Sequence, residues 1–179
     1  GAFKFTELTS KIGLMKGAYD FLRNTVQEFV REYQEQVENE NKLLALMKNR
    51  GDYTDQQYTK FLAFANKMQA TTNFADDQVL NAVSQFQTFT NIRQDIMQEA
   101  VKLSADVAAT TRQDLQSVSV QLAKSLSDPT LVSGLKRSGV MINEEIVKTF
   151  KTLEEQQAYI LSEVRKQYAG AAESARNSV

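Results

Sequence analysis

The apolar residues Leu8, Ile12, Met15, Tyr19, Leu22, Val26, Phe29 and Tyr33 follow one another in alternating steps of four and three. That is the repeat of a coiled-coil seam, kept for more than three heptads. It predicts one long helix over residues 3–50. Beyond Tyr33 the pattern weakens, because Gln36 and Glu40 take the next seam positions, although Val37 lies beside the first. Apolar character returns at Leu43, Leu44 and Met47. Gly51 is the expected stop, after Lys48 and Arg50, whose charges suit a helix C-terminus. An unbroken helix of this length runs about 70 Å. A compact domain of this size could not cover that length, so part of the helix is expected to project or to pair with another chain. Gly13 and Gly17 are its weak points, each costing about 1 kcal/mol relative to Ala. Two readings of the seam stand side by side: a core-facing helix of a bundle, and an oligomerisation or rod segment. The length favours the second. The aromatics at seam positions favour the first, because Tyr and Phe crowd a tight two-stranded coil.

The remainder of the chain is also written for helices. One Pro and seven Gly in 179 residues leave few breaks, and Gln, Ala, Lys, Glu and Leu are good helix formers. No stretch shows the period of two that marks a strand. The expected fold class is all-α: a long N-terminal, coiled-coil-like helix over 1–51, followed by a compact bundle of short helices over 52–179.

Start and stop marks divide the bundle. Thr54 with Gln57 forms a capping box and opens a helix carrying Tyr58, Phe61, Leu62, Ala65 and Met68 on one face. It ends in Thr71, Thr72 and Asn73. Asp76 and Asp77 favour the next N-terminus, ahead of Val79, Leu80, Val83 and Phe86. A third helix is expected over about 92–109, with Ile92, Ile96, Ala100, Leu103 and Val107 on one stripe, broken by Thr110 and Thr111. A fourth is expected over about 112–127, with Leu115, Val118, Leu122 and Leu126 inward. Asp128–Pro129 is a strong start signal for a short helix that Gly139 closes with a left-handed cap. Asn143 opens another short helix. Thr152 with Glu155 opens one that runs to about Tyr168. Gly170 then separates a small Ala-rich tail, for which a helical and a frayed reading both stand.

Composition removes several kinds of chemistry. The net charge is −1, so no global basic field gathers phosphates, and sequence-specific nucleic-acid binding is not expected. Cysteine and histidine are absent, which removes disulfides, thiol catalysis, the usual zinc ligands and the commonest general base. No apolar run approaches the 18 or so residues of a membrane span. The chain starts with Gly1 rather than Met, and is expected to be a fragment of a longer protein.

No catalytic constellation emerges. The pairs Asp76–Asp77, Glu144–Glu145 and Glu154–Glu155 sit in predicted first turns, where negative charge complements the helix dipole. Neighbours on a helix point about 100° apart, so such a pair does not build a dyad. Ser133, Gly134 and Gly139 lack the spacing of a phosphate loop. Lys136 and Arg137 suit the last turn of a helix. Phe61, Phe64, Phe74, Phe86 and Phe89 could line a ligand pocket, but at helical spacing they read as core. No cofactor, metal or small-molecule substrate is expected, and the chain is not expected to be an enzyme.

From residue 60 onward the wording becomes specific. Met68, Gln69, Thr71, Thr72 and Phe74 precede the acidic pair Asp76–Asp77. Phe86 to Phe89 close the next segment. Leu103, Ala105, Asp106, Ala108 and Ala109 follow, then Asp114–Leu115. The longest phrase is LAKSLSDPTLVSGLKRSGV, from Leu122 to Val140, followed by Glu144–Glu145. The last comprises Gln157, Tyr159, Ile160, Leu161, Glu163, Tyr168, Gly170, Ala171, Ala172 and Glu173. In this order and spacing the chain resembles the phage and prophage tail length tape measure protein family, over about 60–175. It departs from the family pattern in Ala75, where a capping Ser is frequent, in Ala169, which replaces one glycine of a pair, and in the charged run 164–167.

The resemblance implies a structural role. Members are extended helical rods inside the tail tube whose length sets tail length. They associate with tail tube, tail tip and tail assembly chaperone proteins, in the virion tail and, during assembly, in the host bacterial cytoplasm. The seam Leu8–Tyr33 is the expected helix-pairing interface, with a second copy of the chain as one partner. The other reading is a helical secretion effector or adaptor, a coiled-coil interaction module whose N-terminal helix is recognised by transport machinery.

Overall fold

The structure is a computed structural model that describes residues 12–178, with side-chain surroundings from Asp20 onward. The described residues are all-α, with no strand among them. The elements are α1 (Ile12–Arg50), α2 (Asp55–Thr71), α3 (Asp76–Gln87), α4 (Gln94–Thr111), α5 (Leu115–Ser127), a 3-10 segment (Pro129–Ser138), α6 (Glu144–Val147), α7 (Leu153–Tyr168) and α8 (Ala171–Asn177). The chain forms two compact units, Gly1–Glu38 and Asn39–Val179.

In the first unit the described structure is helix α1, which runs through Gly13 and Gly17 without a break. The second unit takes in the last turns of α1, where Leu43 and Met47 are fully buried. Both fall in the register of the seam. Leu22, Phe29, Gln36 and Leu43 are seven apart, as are Val26, Tyr33, Glu40 and Met47. One repeat thus supplies core residues to the bundle, which is why the compact unit begins at Asn39, ahead of Gly51.

α4 is the central helix of the bundle. Met97, Ala100, Val101, Leu103, Ser104, Ala105, Asp106, Val107 and Ala108 are all buried, and α2, α3, α5, α7 and α8 pack around it. The single stripe expected for this helix is therefore corrected: it is covered on nearly all sides, as a helix with few charged residues in its middle must be. Its Ala and Ser side chains let several neighbours approach at once. Around it, Phe61 and Phe86 are fully buried, each worth roughly 1.5–3 kcal/mol of apolar burial. Phe64, Phe74 and Phe89 pack half-buried against the same core. Phe61 and Phe86 are core residues, as their spacing suggested, while Phe64 also lines a cleft.

Helix boundaries follow local chemistry. Thr54, Asp114, Asn143 and Thr152 cap α2, α5, α6 and α7 with their side chains. Ala75 has no acceptor to offer, and two glutamines substitute. Gln78 Oε1 accepts from the Ala75 N–H at 2.9 Å, and Gln69 Oε1 accepts from Asp76 N–H at 2.8 Å.

Some expectations differ, and α4 starts at Gln94 rather than near 92, so Ile92 is buried ahead of the helix. Thr110 and Thr111 do not break α4, because their hydroxyls donate to the carbonyls of Asp106 and Val107 at 3.0 and 2.8 Å, satisfying the threonines inside the helix. The helix ends at Arg112, the one described non-glycine residue with positive φ (57°). Helix α5 accordingly starts at Leu115 rather than near 112. The helix after Asp128–Pro129 is 3-10, not α. Asp128 caps it through Thr130 N–H at 3.1 Å, and Gly139 closes it with φ 92°, as expected.

Candidate functional site

Two surfaces on the described residues have the makings of a site. The first is the exposed face of α1. Leu8, of the expected pairing interface, lies outside the described residues. Ile12, Met15 and Tyr19 lie in α1, with side chains outside the described set. Leu22 is half-buried, while Val26, Phe29 and Tyr33 are 59%, 70% and 63% exposed. Large apolar side chains this open on one helix are unusual for a surface that stays bare. The seam pattern missed Phe21 and Val30, which are also exposed. Val30 and Val37 widen the seam on one flank, since each follows a seam residue by one heptad position.

The second is a cleft of about 670 Å³ in the bundle, between α2, α4, the end of α7 and α8. Phe64 and Met68 of α2 and Leu103 of α4 give it an apolar floor. Lys60 and Lys67 line its α2 side, both exposed. Arg165 pairs with Glu99, and Lys102 lies 4.0 Å from Glu173.

Asp106 sits at the base of the cleft. Its carboxylate accepts from the N–H groups of Gly170 at 3.2 Å and Ala172 at 2.9 Å. Burial raises its pKa above the ordinary carboxylate value; the Ala172 and Gly170 N–H groups and Lys102 pull it down, and Glu173 adds to the rise. Both oxygens of Asp106 hold the start of α8, so the group is engaged as an anchor. Arg176 completes the anchoring, donating to the carbonyls of Gln69 at 3.0 Å and Thr72 at 2.8 Å. The phrase Leu103–Ala109 contains this aspartate, but nothing in its spacing announces a partner sixty-odd residues away.

Polar side chains elsewhere hold loops. Arg50 donates to the carbonyls of Phe89 at 3.1 Å and Ile92 at 2.6 Å and pairs with Asp52 at 3.3 Å. Gln157, buried, donates to the carbonyls of Asn91 at 3.1 Å and Leu126 at 3.0 Å. The acidic pairs lie in first turns of α3, α6 and α7. Glu154 reaches Arg93 at 3.0 Å, and Asp76 accepts from the Asp77 N–H at 2.8 Å. Lys136 and Arg137 lie in the last turn of the 3-10 segment. Among the described residues no group of His, Cys, Asp and Glu side chains could hold a metal ion, and no helix is long and apolar enough to cross a membrane.

Comparison with known proteins finds no matching family model, no matching curated protein and no matching solved structure. Among the described residues, fold and surfaces define an all-helical chain with an open apolar helix face and a cleft with two cations that have no partner.

Proposed function

We propose that the chain is part of a tape measure protein: a structural and assembly component of a bacteriophage or prophage tail, packed in the tail tube, whose length sets tail length. It works by length and contact rather than by catalysis. Its partners are a second copy of itself, through the face of α1, and the tail tube, tail tip and tail assembly chaperone proteins. Its place is the virion tail and, during assembly, the host cytoplasm.

The observation that supports this reading best is how the longest resembling phrase is used. Within Leu122–Val140, Leu122, Ala123, Leu126, Val132, Leu135 and Val140 are buried. Asp128 and Gly139 are the start and stop of the 3-10 segment. Its wording is thus that of a structural module, with apolar positions for the core and polar ones for punctuation. The open apolar face of α1 adds a surface suited to pairing.

Two measurements test the reading. Mass spectrometry of purified tail particles should detect peptides of this chain; tails lacking them would overturn the assignment. Sedimentation equilibrium should show a species heavier than the monomer, reduced to monomer by Phe29→Lys with Tyr33→Lys. Both residues are exposed, so the double variant keeps its fold. A wild-type chain that stays monomeric up to about 100 μM, a weak affinity of about −5.5 kcal/mol, would remove self-pairing.

A further inference from the structure

The cleft carries a charge pattern that neither the core nor the face of α1 uses. Lys60 and Lys67 stand two turns apart on α2, with half-buried Phe64 between them on the same face. Neither lysine's ammonium group has a hydrogen-bond or ion-pair partner among the described residues. The other charges of the cleft are engaged: Arg165 with Glu99, Lys102 with Glu173, and Asp106 with the N–H groups at the start of α8. The uncompensated charge is therefore positive and confined to one rim.

Two turns of helix separate the lysines by about 10 Å. A single phosphate or carboxylate would meet both ammonium groups only if both side chains folded inward over Phe64. Two carboxylates spaced two turns apart on another helix match the span. Between the lysines, half-buried Phe64 offers an apolar floor with the buried Met68 and Leu103 at its base, and the exposed Ala63 is small enough to admit a neighbouring backbone. A methionine in such a floor adapts to the shape laid on it.

We propose that this cleft docks an acidic amphipathic helix of a partner protein. Large apolar side chains of that helix sit on Phe64 and Met68, and carboxylates at i and i+7 reach the two lysines. The proposal stands on the cleft alone and does not depend on the tail assignment.

The probe is a labelled synthetic helical peptide with Glu at i and i+7 and Leu at i+3 and i+4, followed by fluorescence anisotropy on the full chain. Binding in the micromolar range is expected, weakened about tenfold or more by Lys60→Glu with Lys67→Glu, and likewise by Gln in place of both glutamates. Raising the salt from about 50 to about 300 mM should weaken it further. Circular dichroism should show the double variant folded, since both lysines are exposed. No saturable binding below about 1 mM, or binding indifferent to both charge changes, overturns the proposal. Full competition by dodecanoate at its own micromolar affinity would make the occupant a lipid-like acid. Self-association lost in the lysine variant without peptide would make it a second copy. Either result overturns a partner helix.

Discussion

Burial lifts the Asp106 carboxyl above its ordinary range, against the pull of two backbone N–H groups. The folded chain therefore holds this proton more tightly than the unfolded chain. The stability the group contributes is fully present below the unfolded value of about 3.9 and is lost as pH rises through the raised folded value. Asp106→Asn does not titrate. Urea unfolding across about pH 4 to 7 should show the stability of the wild type falling relative to the Asn variant as pH rises; a constant difference would contradict the buried-carboxylate account. Asp106→Ala, which strands both N–H groups, should cost about 2–4 kcal/mol.

Gly139 makes a second residue-scale case. A Cβ there would meet Tyr168 Oη at 2.9 Å and Thr111 Cγ2 at 3.0 Å, at a φ of +92°. At Gly51 the φ is +85° but the space is open. Thermal unfolding should give about 1 kcal/mol of backbone strain for Gly51→Ala and about 2–4 kcal/mol for Gly139→Ala, where overpacking adds. Equal costs would show that the neighbours give way. Both glycines could be read as caps from sequence, since each follows basic residues at a helix end. The crowding at Gly139 could not, because Thr111 and Tyr168 are brought to it only by the packing of α4 and α7.

At the scale of elements, helix starts were legible where a capping side chain or a first-turn charge marked them, as at Thr54, Asp76–Asp77, Asn143 and Thr152, but the start of α5 at Leu115 was expected near 112 although Asp114 caps it. What could not be read was the set of partners that satisfy some of those starts. The N-terminus of α3 relies on Gln69 and Gln78, and that of α8 on Asp106. The 3-10 geometry after Pro129 was likewise hidden, because proline fixes a first-turn φ common to both helix types. α8 is short and is held by contacts of long sequence separation, among them Asp106 to its start, Arg176 to the carbonyls at the end of α2, and Lys102 to Glu173. Arg176→Ala should therefore raise hydrogen exchange in α8 selectively, while the amides of α4 keep their protection. Loss of protection in both would mean that α8 is integral to the bundle's cooperativity.

At the scale of the molecule, one apolar repeat has two fates. Leu43 and Met47 are buried in the bundle, and Phe29 and Tyr33 remain open. The sequence displayed the repeat but could not say where burial begins, since that depends on the helices gathered around α4. Leu43→Ala and Met47→Ala should each destabilise the bundle by about 2–5 kcal/mol. In the monomer, Phe29→Ala and Tyr33→Ala should change it by no more than about 0.5 kcal/mol. Large losses at Phe29 or Tyr33 in dilute monomer would show that this face is covered within the chain and is not an open pairing surface.

The proposed role is that of part of a protein that measures length by being a helix. In a phage carrying the parent gene, an in-frame deletion of four heptads from α1, residues 12–39, removes about 42 Å of helix at roughly 1.5 Å per residue. Electron micrographs of the progeny should show tails shorter by about that amount, with a narrow distribution. Tails of unchanged length on particles that still incorporate the shortened protein would contradict the account.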